Sequence, residues 1–370
     1  MIITYDASLI FIFEKYFYTY IFNIYLMLKR RRLYRSLLIF LSRKAFFAVA
    51  AYFIFLTIIF LVPRLIPGNA LALLLSQLYR QAQANPETIR ECYKRLMEQF
   101  EMNKPLWKQY IDFIIRTFKG DLGVSISMFP TKVIDIIMLN LPWTLGLLLP
   151  ATIISWVFGN LLGALAAYKR KTATDNVLLT IFIILSQTPY YWLAMLLLFL
   201  FAAKYRIFPV GGTYSLGMVP SFTLSFIIDY LKHLALPLLS IVIGAIGGWA
   251  IGMRSMMIYE IGSDYVIFSK TLGLPHRKIM SYAFRSAILP QITGLATSLG
   301  TILGGALITE LVFNYQGMGL VLFRALSSLD YPLIQGTYVI LAATLVLATF
   351  IIDLLYSLID PRIRTGVEGS

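Results

Sequence analysis

Long apolar runs separated by short polar interruptions dominate the chain from residue 45 onward. Six uncharged runs are read as spans: 45–62, 136–168, 176–203, 234–253, 287–309 and 331–352. A helix needs about 20 apolar residues to cross a bilayer, and in lipid it satisfies its own backbone groups. The pattern therefore predicts an all-α polytopic membrane protein with six transmembrane helices. Two longer polar stretches break the rhythm, one after the first run and one after the fourth.

The second of these, residues 260–285, holds more than a turn. Gly262-Ser263-Asp264 reads as a helix cap, and Tyr265 to Leu272 as a short helix. Gly273 suits the left-handed closing position, and Pro275 cannot continue the helix. Phe268, Leu272 and Leu274 then offer apolar knobs beside Ser269 and Lys270. Two readings stand: a helix that sits in a groove on a partner protein, and an amphipathic helix resting on headgroups through Lys270, Arg277 and Lys278.

Charge orders the topology. The net charge of +14 suggests nucleic acid at first sight, but its distribution is that of a membrane protein. With alternating spans, the side holding 29–44, 169–171, 254–285 and 362–364 carries 17 Lys and Arg, against four in the short loops opposite. The loop after the first span carries ten more, but such a long loop escapes the positive-inside rule. Both termini are therefore expected in the cytoplasm of a cell-membrane protein. The implied divisions are an N-terminal aromatic and basic segment over 1–44, cytoplasmic or interfacial, and a first span over 45–63. An extracytoplasmic helical insertion over 64–135, a transmembrane core over 136–359 and a cytoplasmic tail over 360–370 follow.

Residues 1–28 allow three readings: an interfacial or disordered segment, an extra span, or an upstream extension with Met27 as the true start. No cleavable-signal pattern opens the chain. In the insertion, Asn85-Pro86-Glu87 marks one helix start, and Pro105 opens another helix. Its apolar positions 106, 107, 110, 113 and 114 recur at helical spacing and are expected to pack on the outer rim. The single cysteine, Cys92, excludes an intrachain disulfide.

Catalytic chemistry finds no foothold. The two histidines, His233 and His276, stand apart without metal-ligand spacing, and no phosphate-loop motif occurs. The glycine pairs at 247–248 and 304–305 lie inside apolar runs, where small residues serve helix packing. No metal or cofactor is expected on this chain. Ion-coupled transport calls for charge in mid-membrane, and Glu310 and Asp353 fall only at span ends.

The 260–285 segment resembles the cytoplasmic coupling loop of ABC importer permeases. More narrowly, the chain resembles the first permease subunit of the dipeptide/oligopeptide importer family. The stretches that carry this are, in order, Ile66-Pro67-Gly68, Asn103-Lys104-Pro105 with Trp107 and Tyr110, and Lys119-Gly120-Asp121-Leu122-Gly123. They continue with Pro209-Val210-Gly211-Gly212, Glu310 to Gly319, Asp330-Tyr331-Pro332 and Asp360-Pro361-Arg362. There are departures. Ile267-Phe268-Ser269 stands where the family has Glu-Ala-Ala, and Lys270-Thr271-Leu272-Gly273 where it has a basic-Ala-Lys-Gly stretch.

The resemblance implies the type I importer permease fold and a subunit that is itself not an enzyme. It implies a second, related permease, two ATPases holding ATP and magnesium, and an extracytoplasmic solute-binding protein. Asp264, Tyr265, Ser269, Lys270, Gly273, Leu274 and Pro275 become candidates for ATPase coupling. Trp107, Gly317 and Gly319 become candidates for the binding-protein side. For the Gly317-Met318-Gly319 corner, stripping of substrate from the binding protein stands beside a tight turn that needs glycine for its backbone angles. The substrate stays open among peptides, oligosaccharides and nickel. The rivals are a secondary transporter or channel without ATPases, and a scaffold subunit.

Overall fold

The computed structural model describes residues 41–62, 104–301 and 307–359. The described residues form helices and no strand, with an isolated antiparallel bridge between Val124 and Lys132. The chain divides into two units, 1–51 with 350–370, and 52–349. In the first, the Phe46 and Phe47 rings meet edge-on at 5.9 Å, with the Arg43 guanidinium 5.8 Å from Phe47. The packing described below lies within the second.

In chain order the helices are α1 (Leu41–Val62), α2 (Leu106–Phe118), α3 (Val133–Tyr168) and α4 (Ala173–Gln187). Helix α5 (Tyr190–Leu197) runs on as a π-helical segment, Leu198–Lys204. Then come α6 (Leu224–Ile261), α7 (Asp264–Thr271), α8 (His276–Thr301), α9 (Leu307–Val312), α10 (Met318–Ser327) and α11 (Tyr331–Ile359).

Helices α1, α3, α6 and α11 are long and apolar enough to cross a membrane, and α4 with α5 adds a fifth crossing if the bent pair counts as one. The uncharged run 176–203 is therefore not one straight span: α4 and α5 meet at 92°. Pro189 supplies the reason. It lacks an N–H and pushes the preceding residue out of helical geometry, and Thr188 is extended at φ −81°, ψ 119°. The expected fifth span, 287–309, is helical through Thr301 in α8 and again from Leu307 in α9, with 302–306 outside the described residues. Helix α8 begins in the polar interruption, so its described length is not apolar enough to qualify as a crossing alone.

The centre of the unit is the α3–α6 pair. Glycines bring the two backbones together: a side chain on Gly163 would strike the backbone of Ala250, and one on Gly159 would strike Trp249. On the opposite flank of α6, a Cβ on Gly247 would lie 2.7 Å from the Ser186 nitrogen of α4. Without a hydrophobic effect between helices in lipid, such close approach supplies the packing. Tyr315, buried completely, joins the centre by donating from its hydroxyl to the Trp143 carbonyl at 3.2 Å.

The insertion is only partly described; the predicted helix start at 85–87 and the residues 1–28 lie outside the described residues. What is described lies along α1. Phe60 meets Tyr110 at 5.2 Å and Phe113 at 5.6 Å, and the Thr57 and Tyr110 hydroxyls are 2.8 Å apart. Phe118 reaches Phe53 at 5.7 Å. Of the five apolar positions expected to pack, 110, 113 and 114 do, whereas Leu106 and Trp107 are exposed.

The return from α2 to α3 is fixed by Asp330, wholly buried before α11. Its Oδ2 accepts from the Ser125 hydroxyl at 2.5 Å and from the Ser127 N–H at 2.8 Å. Its Oδ1 accepts from the Leu333 N–H at 3.1 Å and so caps α11.

Candidate functional site

The polar interruption after α6 folds as expected into a closed surface helix. Asp264 opens α7 behind Ser263, whose hydroxyl turns back to donate to the Glu260 carbonyl at 2.6 Å. The C-terminus closes through two bonds. The Gly273 N–H donates to the Lys270 carbonyl at 3.0 Å, and the Leu274 N–H to the Ser269 carbonyl at 3.3 Å. That pair is the Schellman closure, and Gly273 sits at φ 71°, where a side chain would be strained. Pro275 then starts α8 by accepting from the Lys278 N–H at 2.8 Å.

One face of α7 anchors the helix. Val266 is completely buried and joins Met253 and Met257 of α6, Ile279 and Ala283 of α8, and Ala167 of α3. Leu274 packs against the same cluster. Ser269 also faces inward, its hydroxyl donating to the Tyr265 carbonyl at 2.7 Å. It is a fixture of the anchor and not part of an outer surface. Tyr265 is a brace: its hydroxyl donates to the Glu260 carboxylate at 2.6 Å and lies 3.1 Å from the Ser286 hydroxyl. Burial, followed by the bond to Glu260, raises the phenol above its ordinary value, so it remains a neutral donor.

The other face is bare. Phe268 is 63 % and Leu272 62 % exposed, with Ile267 half-exposed between the knobs. Asp264, Lys270, Gly273 and Pro275 are exposed around them, as are Arg277 and Lys278 at the start of α8. Single exposed apolar residues are common, but here they share one short, rigidly closed helix. Movement of α7 would be passed to the adjoining ends of α6 and α8, because the buried cluster joins all three.

An ion pair not anticipated from the sequence adjoins this cluster. Arg254 of α6, next to Met253, donates to both oxygens of Asp175 in the first turn of α4, at 2.7 and 2.8 Å. Thr172 caps α4 by accepting from the Asp175 N–H at 3.4 Å. The signals were present: Thr172-x-x-Asp175 has capping-box spacing, and Arg254 directly follows an uncharged run.

On the far side of the chain, Gly317 and Gly319 are buried. Glu310 is the cause. Its carboxylate, fully enclosed, accepts from the Thr144 hydroxyl at 2.9 Å and from the N–H groups of Gly319 and Leu320 at 2.7 and 3.1 Å. Thr144 in turn accepts from the Met318 N–H at 2.7 Å. The first N–H groups of α10 are thus satisfied from α3 and α9, with a carboxylate at the positive end of the helix. Gly317 is extended at φ −114°, ψ −179°, so backbone angles do not demand glycine; a side chain there would strike the Glu310 carboxylate. A Cβ on Gly319 would lie 2.6 Å from Leu307 Cα. Trp107, the remaining outer candidate, is exposed on α2, and nothing joins it to this corner.

Among the described residues no group of acidic, histidine or cysteine side chains could hold a metal ion. A multi-pass helical chain with a rigidly anchored surface helix at one end of its spans has the build of a membrane transport subunit. Its residues 159–365 match the family described as binding-protein-dependent transport system inner membrane component. Over 89 % of its length the chain is 31 % identical to the di/tripeptide transport system permease protein DppB of Pseudomonas aeruginosa, covering 99 % of that protein. It is 32 % identical to the probable D,D-dipeptide transport system permease protein DdpB of Escherichia coli, over 84 % of this chain and 92 % of the relative. It is 29 % identical to the dipeptide transport system permease protein DppB of Bacillus subtilis, over 88 % and 98 %. The chain belongs to this family. It is the transmembrane permease subunit of an ABC importer, whose ATP hydrolysis resides in separate ATPase subunits and whose substrate is delivered by a binding protein.

Proposed function

We propose that this chain forms half of a translocation pathway for short peptides, paired with a second related permease and two ATPases. The peptide substrate rests on the names of its relatives, which refer to di- and tripeptides and to D,D-dipeptides. Six spans, both termini in the cytoplasm and a binding protein docking outside complete the reading, supported by the excess of Lys and Arg on the α7 side.

The observation that carries it is the two-sided character of α7. Val266 and Leu274 fix the helix to α3, α6 and α8, while Phe268 and Leu272 stay exposed for a groove on an ATPase. ATP-driven closure of the ATPase pair would draw the two surface helices together. Here α7 would carry the inner ends of α6 and α8 with it and switch the pathway between inward- and outward-facing states. Binding energy at α7 then biases a two-state element. Asp264, Tyr265, Lys270, Gly273 and Pro275 shape or border that contact, and Ser269 and Leu274 hold its base.

The test is purification of the tagged chain in mild detergent from its native membrane, followed by mass spectrometry and by uptake of labelled dipeptides. Recovery of a second permease and an ATPase, with uptake that requires ATP and the binding protein, is expected. A homo-oligomer transporting without ATP would overturn the reading.

A further inference from the structure

We infer that α2 lies in the boundary region of one bilayer leaflet, with its bare apolar arc seated among lipid acyl chains. The inference needs only that α1 crosses the membrane. Helix α2 divides lengthwise into three arcs. The first, with Tyr110, Phe113 and Ile114, packs against α1 and α11. The second, with Trp107, Ile111, Ile115 and Phe118, recurs every three to four residues and is exposed, Trp107 at 66 % and Phe118 at 61 %. The third carries Lys108, Asp112 and Arg116.

Water on the whole outer side would leave the middle arc without a partner. Its depth argues for lipid. Tyr110 meets α1 at Phe60, near the described end of that helix, and Phe118 meets it at Phe53. At about 1.5 Å per residue, these contacts descend along roughly 10 Å of α1. The α1 residues beside them, Ile54, Ile58 and Leu61, are themselves exposed and apolar on a helix of membrane-crossing length. The bare arc of α2 is exposed and apolar in the same way. The polar arc supplies what an interfacial helix needs on its wet side, with long cationic chains that reach the headgroups. The helix described as part of an extracytoplasmic insertion is thus a collar on the first span, and a soluble partner would find only its polar arc.

The test uses the complete transporter in lipid nanodiscs, with Cys92→Ser as background and a fluorescent NBD label on one introduced cysteine at a time. Labels at Ile111→Cys and Ile115→Cys are expected to emit to the blue and to be quenched by phosphatidylcholine brominated on its acyl chains. A label at Lys108→Cys is expected to be quenched by aqueous iodide instead. Iodide quenching at 111 and 115 without bromolipid quenching would overturn the inference in favour of a water-facing helix. Shielding of both positions from both quenchers would overturn it in favour of a protein cover. If one variant fails to assemble, the other still decides between these outcomes.

Discussion

The Glu310 carboxylate lies 2.7 Å from the Gly319 backbone nitrogen, inside a space that no side chain at 317 or 319 could share. Replacing either glycine by alanine is therefore expected to destabilise the assembled protein by about 1–3 kcal/mol through overpacking. Gly248→Ala is the control, since a Cβ there meets nothing within 4 Å. Thermal unfolding in detergent should show a clear drop for Gly317→Ala and Gly319→Ala and none for Gly248→Ala. Equal melting of all three would mean that Glu310 does not fill that space.

Asp175 and Arg254 form a two-bond ion pair that is almost closed to solvent on the carboxylate side. Removing one partner leaves the other charge stranded, which costs about 3–5 kcal/mol for a buried pair. Arg254→Met should therefore melt well below the parent, and Asp175→Asn with Arg254→Met should recover part of the loss. Additive losses in the double variant would show that the two residues act independently.

The bare face of α7 should be dispensable for folding and necessary for assembly. Phe268→Asp and Leu272→Asp are expected to keep the parent melting temperature and to lose the co-purifying ATPase. Val266→Asp, which puts a charge into the buried cluster, should reduce the yield of folded protein itself. An ATPase retained by both exposed variants would disconnect α7 from coupling.

Lys104 Nζ lies 2.8 Å from Asp112 Oδ2, and that bond, more than the other nearby cations, holds the Asp112 carboxyl below its ordinary value despite an opposing contribution from desolvation. A depressed folded-state value means that the contribution to stability is complete above the unfolded carboxylate range, near pH ~4, and is lost as pH falls through the lower folded value. The environment of a label at Ile115→Cys should therefore hold at neutral pH and begin to change only below that range. Lys104→Met should bring the change to higher pH. An unchanged profile would show that the pair does not steady α2.

Helical class and surface helix were legible in the sequence because each rests on local chemistry. The six apolar runs read as spans favour helix in lipid, and Gly273 followed by Pro275 suits the close of one helix and the start of another. Helix covers the described residues of every such run except the corner at Thr188–Pro189. What was not legible depends on partners far along the chain. Glu310 looked like an acid at a span end until Thr144, 166 positions away, was found bonded to it. Ser269 looked like a surface residue because the short helix has no strong periodicity, and only the cluster around Met253 and Met257 decides which side is inside. The direction of α2 was hidden for the same reason: an amphipathic pattern states that a face is covered, not by which neighbour.

The corner between α4 and α5 has a consequence for where water can go. Tyr190 lies against Gly244, the site of a prospective Cβ contact of 3.1 Å, in the middle of the uncharged part of α6. If α6 crosses the membrane, the chain abandons regular helix beside the middle of that crossing, where one helix ends with unspent carbonyls and the next begins with unspent N–H groups. Thr188 relieves part of this by bonding back to the Ile184 carbonyl through both its N–H and its hydroxyl, at 3.0 and 2.7 Å. Hydrocarbon can offer the remainder nothing. Irregular backbone at such a depth persists only against protein or a wetted cavity, so the corner is expected to be turned from lipid, towards a neighbouring helix or the pathway, once the transporter is assembled.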